Sequence, residues 1–140
     1  MYTFRGFPWK EQLEEEYPSL FIFGKLKEDF EKFCEEVKIK QPVCIIGVAK
    51  GRRSIWEGLA INKFNSGKLV KDGKEFYDLY IPDKTTFPIN QTPWTTFCNW
   101  TAYKIQHFLA ENNLNTKLSF LHIREKDLQE LRGQIKELSI

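Results

Sequence analysis

Three cysteines and two histidines supply all of the thiols and imidazoles in the 140 residues. A thiol beside an imidazole can carry out acyl transfer, the sulfur attacking and the ring moving the proton. Cys98 stands where the run Thr92 to Phe97 gives way to a helical pattern, and Cys98, Ala102, Ile105 and Leu109 fall at i, i+4, i+7 and i+11. That spacing predicts a helix packed inward with the cysteine in its first turn. Free backbone N–H groups and the positive end of the helix dipole favour an anion there, so the spacing also predicts a lowered thiol pKa. Cys34 falls beside the apolar stripe Leu26, Phe30, Phe33 and Val37, and Cys44 lies within a strand-like run. Both read as packing residues.

Elimination narrows the choice of base. His107 is nine residues after Cys98, about half a turn out of phase on the same helix, and points away from the thiol. His122 closes the run Leu118-Ser119-Phe120-Leu121-His122-Ile123, so it can emerge on the same carboxyl edge of a parallel sheet as the head of the cysteine's helix. Glu57 sits among Ile55, Trp56, Leu59, Ala60 and Ile61. Such a carboxylate is either turned to solvent or held by a cation or hydrogen-bond donor, because unpaired burial costs several kcal/mol.

The elements that must position these groups are legible in outline. Tyr2 to Phe4 reads as a short strand, Lys10 to Glu16 as a helix stopped by Pro18, Ser19 to Phe23 as a strand buried on both faces, and Lys25 to Lys38 as an amphipathic helix. Val43 to Ala49 is the most hydrophobic strand. Strand, helix, strand in that order implies a right-handed crossover and parallel pairing. A hairpin is expected around Lys68 to Val70 and Glu75 to Ile81, then a last strand at Lys117 to Ile123 and a closing helix marked by Leu128, Leu131, Ile135 and Leu138. The expected architecture is α/β, one three-layer domain over residues 1–140, with a mostly parallel sheet flanked by helices.

Composition excludes several classes. The formal charge is +2, and the basic residues are interspersed with acids, so the electrostatic footprint of a nucleic-acid binder is absent. No apolar stretch approaches a bilayer span and the start lacks a signal pattern, so no membrane association and a cytoplasmic location are expected. Neither phosphate-binding glycine motif occurs, which disfavours nucleotides. An odd number of cysteines without paired spacing suits reduced thiols better than disulfides or a zinc site.

Gly47-Val48-Ala49-Lys50-Gly51-Arg52, Glu57-x-x-Ala60-x-Asn62, Phe97-Cys98-Asn99 and Phe120-Leu121-His122-Ile123 occur in one order and at spacings that resemble the pyroglutamyl peptidase I (pyrrolidone-carboxylate peptidase) family of cysteine peptidases. The resemblance covers roughly Pro42 to Arg124. It implies that fold, no cofactor, and a triad of Cys98 as nucleophile, His122 as base and Glu57 as the group orienting the ring. It further implies an oxyanion and substrate site at Gly51, Arg52 and Phe97, and Phe7 and Trp9 of the Gly6-Phe7-Pro8-Trp9 turn lining the pocket for a peptide with an N-terminal pyroglutamate. Family members are longer, and Pro93-Trp94 stands where they usually have Ala-Gly, which would narrow the cleft. A divergent non-catalytic member that binds a peptide or protein partner is the alternative. Self-association through the Phe- and Trp-rich surface, giving a homo-oligomer, is a third reading.

Overall fold

The computed structural model describes residues 1–138, with side chains described as far as Ile135; Leu138, placed on the closing helix's apolar face above, has its side chain outside the described residues. In chain order the elements are β1 (Tyr2–Phe4), α1 (Lys10–Glu16), β2 (Phe21–Phe23), α2 (Leu26–Lys40), β3 (Cys44–Lys50), β4 (Ile55–Glu57), β5 (Leu59–Ile61), β6 (Phe76–Asp78), β7 (Ile89–Asn90), α3 (Phe97–Glu111), β8 (Lys117–Ile123), a 3₁₀ turn (Glu125–Asp127) and α4 (Leu128–Leu138). Six strands form one sheet in the order β2-β1-β3-β8-β4-β7, and β5 and β6 form a separate antiparallel pair. Pairing in the large sheet is parallel except between β4 and β8.

Two apolar cores lie against the two faces of the sheet. On one, Ile45, Ala49, Leu118 and Phe120 meet Phe33 and Val37 of α2 and Cys98, Ala102, Ile105 and Leu109 of α3. On the other, Ile46, Val48, Leu121 and Ile123 meet Leu13 of α1 and Leu131 and Ile135 of α4. Successive strand residues point to opposite faces, so this division follows from the period-two alternation of β3 and β8. It has a direct consequence for the site. His122 shares the parity of Leu118 and Phe120, and therefore faces the side that α3 covers.

The central strands approach closely where Gly47 sits, since a Cβ there would lie 2.4 Å from Cζ of the buried Tyr2 ring. Tyr2 fills that gap and donates a hydrogen bond to Thr101 Oγ1, 3.2 Å, whose hydroxyl in turn donates to the Cys98 carbonyl, 2.9 Å. The first turn of α3 is thereby tied to β1.

Two sequence expectations change. Phe21–Phe23 is not buried on both faces: it is the sheet's edge, paired with β1, and Phe21 and Ile22 remain partly exposed. The hairpin forms between β5 and β6, without a strand at Lys68 to Val70. The reason is local. Asn62 Oδ1 accepts hydrogen bonds from the Leu69 and Val70 amides (2.8 and 2.9 Å) while its Nδ2 donates to the Val70 carbonyl (2.7 Å), which satisfies that backbone without a partner strand.

Candidate active site

β4 runs antiparallel to β8, with Ile55 opposite His122 and Trp56 opposite Leu121. Trp56 and Leu121 enter the second core, which puts Ile55, Glu57 and His122 together on the α3 side. Glu57 is then diagonal to His122, within reach across the strands. Its Oε1 lies 3.0 Å from His122 Nδ1, and its Oε2 accepts a hydrogen bond of 2.9 Å from Asn90 Nδ2. Glu57 is only 6% exposed. Of the two fates open to it, burial with partners is the one found, and both oxygens are engaged.

Asn90 was not foreseen as part of this arrangement. It ends β7, which pairs with β4 so that Glu57 is opposite Asn90. Its Oδ1 accepts from the amide and hydroxyl of Thr92 (3.2 and 3.1 Å), an Asx-type turn that fixes the side chain toward Glu57. The sequence signal was Asn90-Gln91-Thr92 ahead of Pro93, a turn pattern.

The cleft beside this pair has a volume of about 670 Å³ and is lined by Lys50, Gly51, Arg52, Arg53, Ile55, Glu57, Asn90, Thr92, Trp94 and His122. Gly51 has to be glycine, because a Cβ there would stand 2.8 Å from His122 Cβ and 2.9 Å from the Arg53 carbonyl oxygen. Its amide donates to the Ile123 carbonyl, 2.9 Å, extending the ladder between β3 and β8. Of the two amides, Gly51 and Arg52, that could serve an oxyanion, that of Gly51 is therefore occupied. That of Arg52 has no acceptor among the described residues.

Cys98 occupies the first turn of α3, as its spacing predicts, but the electrostatic expectation is reversed. The side chain is 9% exposed and is not among the cleft-lining residues. Burial pushes the thiol up to about 12; a hydrogen bond with the Thr96 hydroxyl and one with its own backbone amide act in the opposite direction, and the charge of Glu57 adds to the rise. No hydrogen bond joins Cys98 to His122 among the described residues. Asn99 next to it is locked: its side chain accepts from the Ile61 amide (2.9 Å) and donates to the carbonyls of Ile61 (2.9 Å) and Lys63 (3.0 Å), fastening α3 to β5.

The remaining expected site residues separate. Phe97 packs edge-on against Phe4 at 4.8 Å, beside a neighbouring hollow it shares with Arg5 and Gly24. Phe7 is 4% exposed and sits in the second core, edge to face with Trp9 at 5.4 Å. Neither Phe7 nor Trp9 lines the cleft. A turn rich in aromatics was drawn into the core under α1 and α4 because burying two large rings outweighs leaving them at a solvent-facing rim. Trp94, 74% exposed, supplies the aromatic rim instead. His107 accepts or donates at 2.9 Å with the Tyr77 hydroxyl and stacks on Tyr103, away from the cleft. Cys34 is also pushed up to about 12 by burial.

No group of three or more metal-ligating side chains occurs among the described residues, and no helix there is long and apolar enough to cross a membrane. No family model matches the chain. A pyrrolidone-carboxylate peptidase of Brachyspira hyodysenteriae is 28% identical over 122 residues, covering 69% of this chain, which spans 61% of that relative's length. A mutant pyrrolidone carboxyl peptidase of Pyrococcus furiosus has the same fold with a TM-score of 0.77 at 14% identity, over 98% of this chain and 95% of that one. The pyroglutamyl peptidase I of Bacillus amyloliquefaciens superposes with a TM-score of 0.71 at 17% identity, over 99% of this chain and 92% of that one. The ordered sequence segments, the mostly parallel sheet between helices and these likenesses agree: the chain has the fold of the pyrrolidone-carboxylate peptidases and is similar in sequence to one of them over 122 residues.

Proposed function

We propose that this chain is a cysteine peptidase that removes an N-terminal pyroglutamyl, or a related small acyl, residue from peptides through a thioester. The observation that carries the reading is the Glu57–His122 pair, enclosed on one side and open on the other to a cleft, on the sheet face that α3 covers with Cys98 at its head. With Nδ1 held by Glu57, Nε2 is the ring nitrogen left to exchange a proton. Cys98 Sγ–H would pass its proton to Nε2 as the sulfur attacks the acyl carbonyl. Collapse breaks the C–N bond, and His122 returns the proton to the leaving amine. Water, deprotonated by the same ring, then hydrolyses the thioester to free acid and thiol.

A thiol held neutral at rest makes His122 a general base, in the manner of a serine triad, and not half of a preformed thiolate–imidazolium pair. The oxyanion would take the Arg52 amide and those of the first turn of α3, each such donor being worth about 10²–10³ in rate.

Chromogenic pyroglutamyl amide, compared with alanyl and glutamyl amides, tests the reading. Selective release of the first, abolished by Cys98→Ala and kept by Cys34→Ala and Cys44→Ala, is the expected result. Failure to turn over any of the three refutes the peptidase, and equal loss in all three cysteine variants would mean that folding is being measured. The burial of Cys98 and its absence from the cleft wall favour one second reading, a member that binds peptides without cleaving them. Peptide binding by a chain with no turnover would establish it.

A further inference from the structure

The cleft holds more positive charge than acyl transfer needs. Lys50, Arg52 and Arg53 line it, all exposed, and none has an ion-pair partner among the described residues. The one carboxylate on its wall, Glu57, has both oxygens engaged. Asp127, just beyond β8, is taken by Arg124 Nε (2.6 Å) and the Ser54 hydroxyl (2.6 Å). Three cations within four residues against the single carboxylate Glu57 leave this cleft wall at a net +2. Like charges so placed repel each other, and a bound anion converts that repulsion into attraction.

Their location says which part of a ligand they meet. Lys50 ends β3 opposite Ile123 and shares the parity of Ile46 and Val48, so it leaves the strand on the face opposite His122 and meets the cleft only at the sheet's carboxyl edge. The sulfur is not on this wall, whereas the imidazole is. The volume therefore lies on the side where the ring would protonate the leaving amine, which is the side of the peptide beyond the scissile bond.

We propose that Lys50, Arg52 and Arg53 form a carboxylate-binding subsite that selects peptides carrying an anionic group on the residue immediately after the scissile bond. This rests on the reading of the cleft as a peptidase site. Two sources share the chemistry: an Asp or Glu side chain at that position, or the free carboxylate of a dipeptide.

Calorimetric titration of the full-length Cys98→Ala chain, which binds without turnover, separates the possibilities. The probes are pyroglutamyl-aspartyl amide, pyroglutamyl-asparaginyl amide, pyroglutamyl-asparagine with a free carboxylate, and acetyl-aspartyl amide. An exposed ion pair is worth about 1.4- to 5-fold in affinity, so two or three acting together give the aspartyl amide or the free carboxylate about a tenfold advantage over the neutral amide at low salt. Whichever anion gains identifies the source. The advantage falls toward parity at about 0.5 M salt and in Lys50→Ala/Arg53→Ala, and returns in Lys50→Arg/Arg53→Lys. Equal affinity for charged and neutral probes, or an advantage that survives removal of both cations, overturns the proposal. Acetyl- and pyroglutamyl-aspartyl amides binding alike would refute pyroglutamyl recognition and leave the cationic subsite standing; no binding by any probe overturns both.

Discussion

The protonation state of Cys98 is where the geometry makes its most exposed prediction. A thiol pushed up to about 12 is roughly 10⁻⁴ ionised at about pH 8, against about a quarter for an ordinary thiol near 8.5. Since the thiolate is the reactive species, iodoacetamide should modify Cys98 about 10³ times more slowly than a free thiol at that pH. The assay is timed alkylation across about pH 6–10, quenched, digested and read by peptide mass, with the chain unfolded in guanidinium as the reference in which all three cysteines react alike. Cys34, pushed up equally by burial, is the internal comparison for a thiol that is merely packed away. Two variants test the causes separately. Glu57→Gln removes a charge that raises the thiol and should speed labelling; Thr96→Val removes a hydrogen bond that favours the thiolate and should slow it. Modification of Cys98 at about pH 7 within tenfold of the unfolded rate, with Cys34 still protected, would refute the burial argument and show the sulfur paired with a cation at rest.

Further outcomes follow from the same contacts. Glu57→Gln removes the charge behind the His122 ring and should lower kcat on a pyroglutamyl amide by about 10²–10⁴, with KM little changed. Asn90→Ala leaves a buried carboxylate short of a donor and should cost roughly 1.5–3 kcal/mol of stability in denaturant titrations, more than the loss of an exposed asparagine would. Gly51→Ala forces a Cβ into His122 and the Arg53 carbonyl, and should destabilise by about 1–3 kcal/mol while lowering activity. At alkaline pH, the folded chain keeps its proton on Cys98 after the unfolded chain has lost its own, so this contribution to stability is complete below about 8.5 and is lost as pH rises toward about 12. Within that window wild type should lose about 1.4 kcal/mol per pH unit more than Cys98→Ala, and parallel curves would count against it.

What could be read from the chain was whatever a single element decides. The face Cys98, Ala102, Ile105, Leu109 is a property of one helix, and the hydrophobic runs of β3 and β8 are properties of one strand each, so their positions were accessible. Glu57 shows the boundary. Its neighbours show that it needs a partner, but the choice between solvent and His122 depends on β4 running against β8, a pairing of residues 65 apart that no local period encodes. Asn90 lay beyond that boundary too, since its role comes from the pairing of β7 with β4. Phe7 and Trp9 lie away from the cleft for a related reason: an aromatic turn serves a rim or a core equally well until the helices above it are placed.

The thiol illustrates how two correct local statements can combine in the wrong proportion. A helix start favours an anion by about 0.3–1 kcal/mol when exposed and about 2 at best, which is at most one or two pKa units. Displacing a thiol from its ordinary range to about 12 corresponds to roughly 4 kcal/mol against the anion, so desolvation wins at Cys98 even with the helix start, the Thr96 hydroxyl and its own amide acting together. Lowering that cost requires water or a cation at the sulfur. Residues 91–96 touch both sides of that balance, with Thr92 and Trp94 on the cleft wall and Thr96 bonded to the thiol. Under the peptidase reading, a substrate settling against Trp94 meets the same short segment that bonds the nucleophile through Thr96.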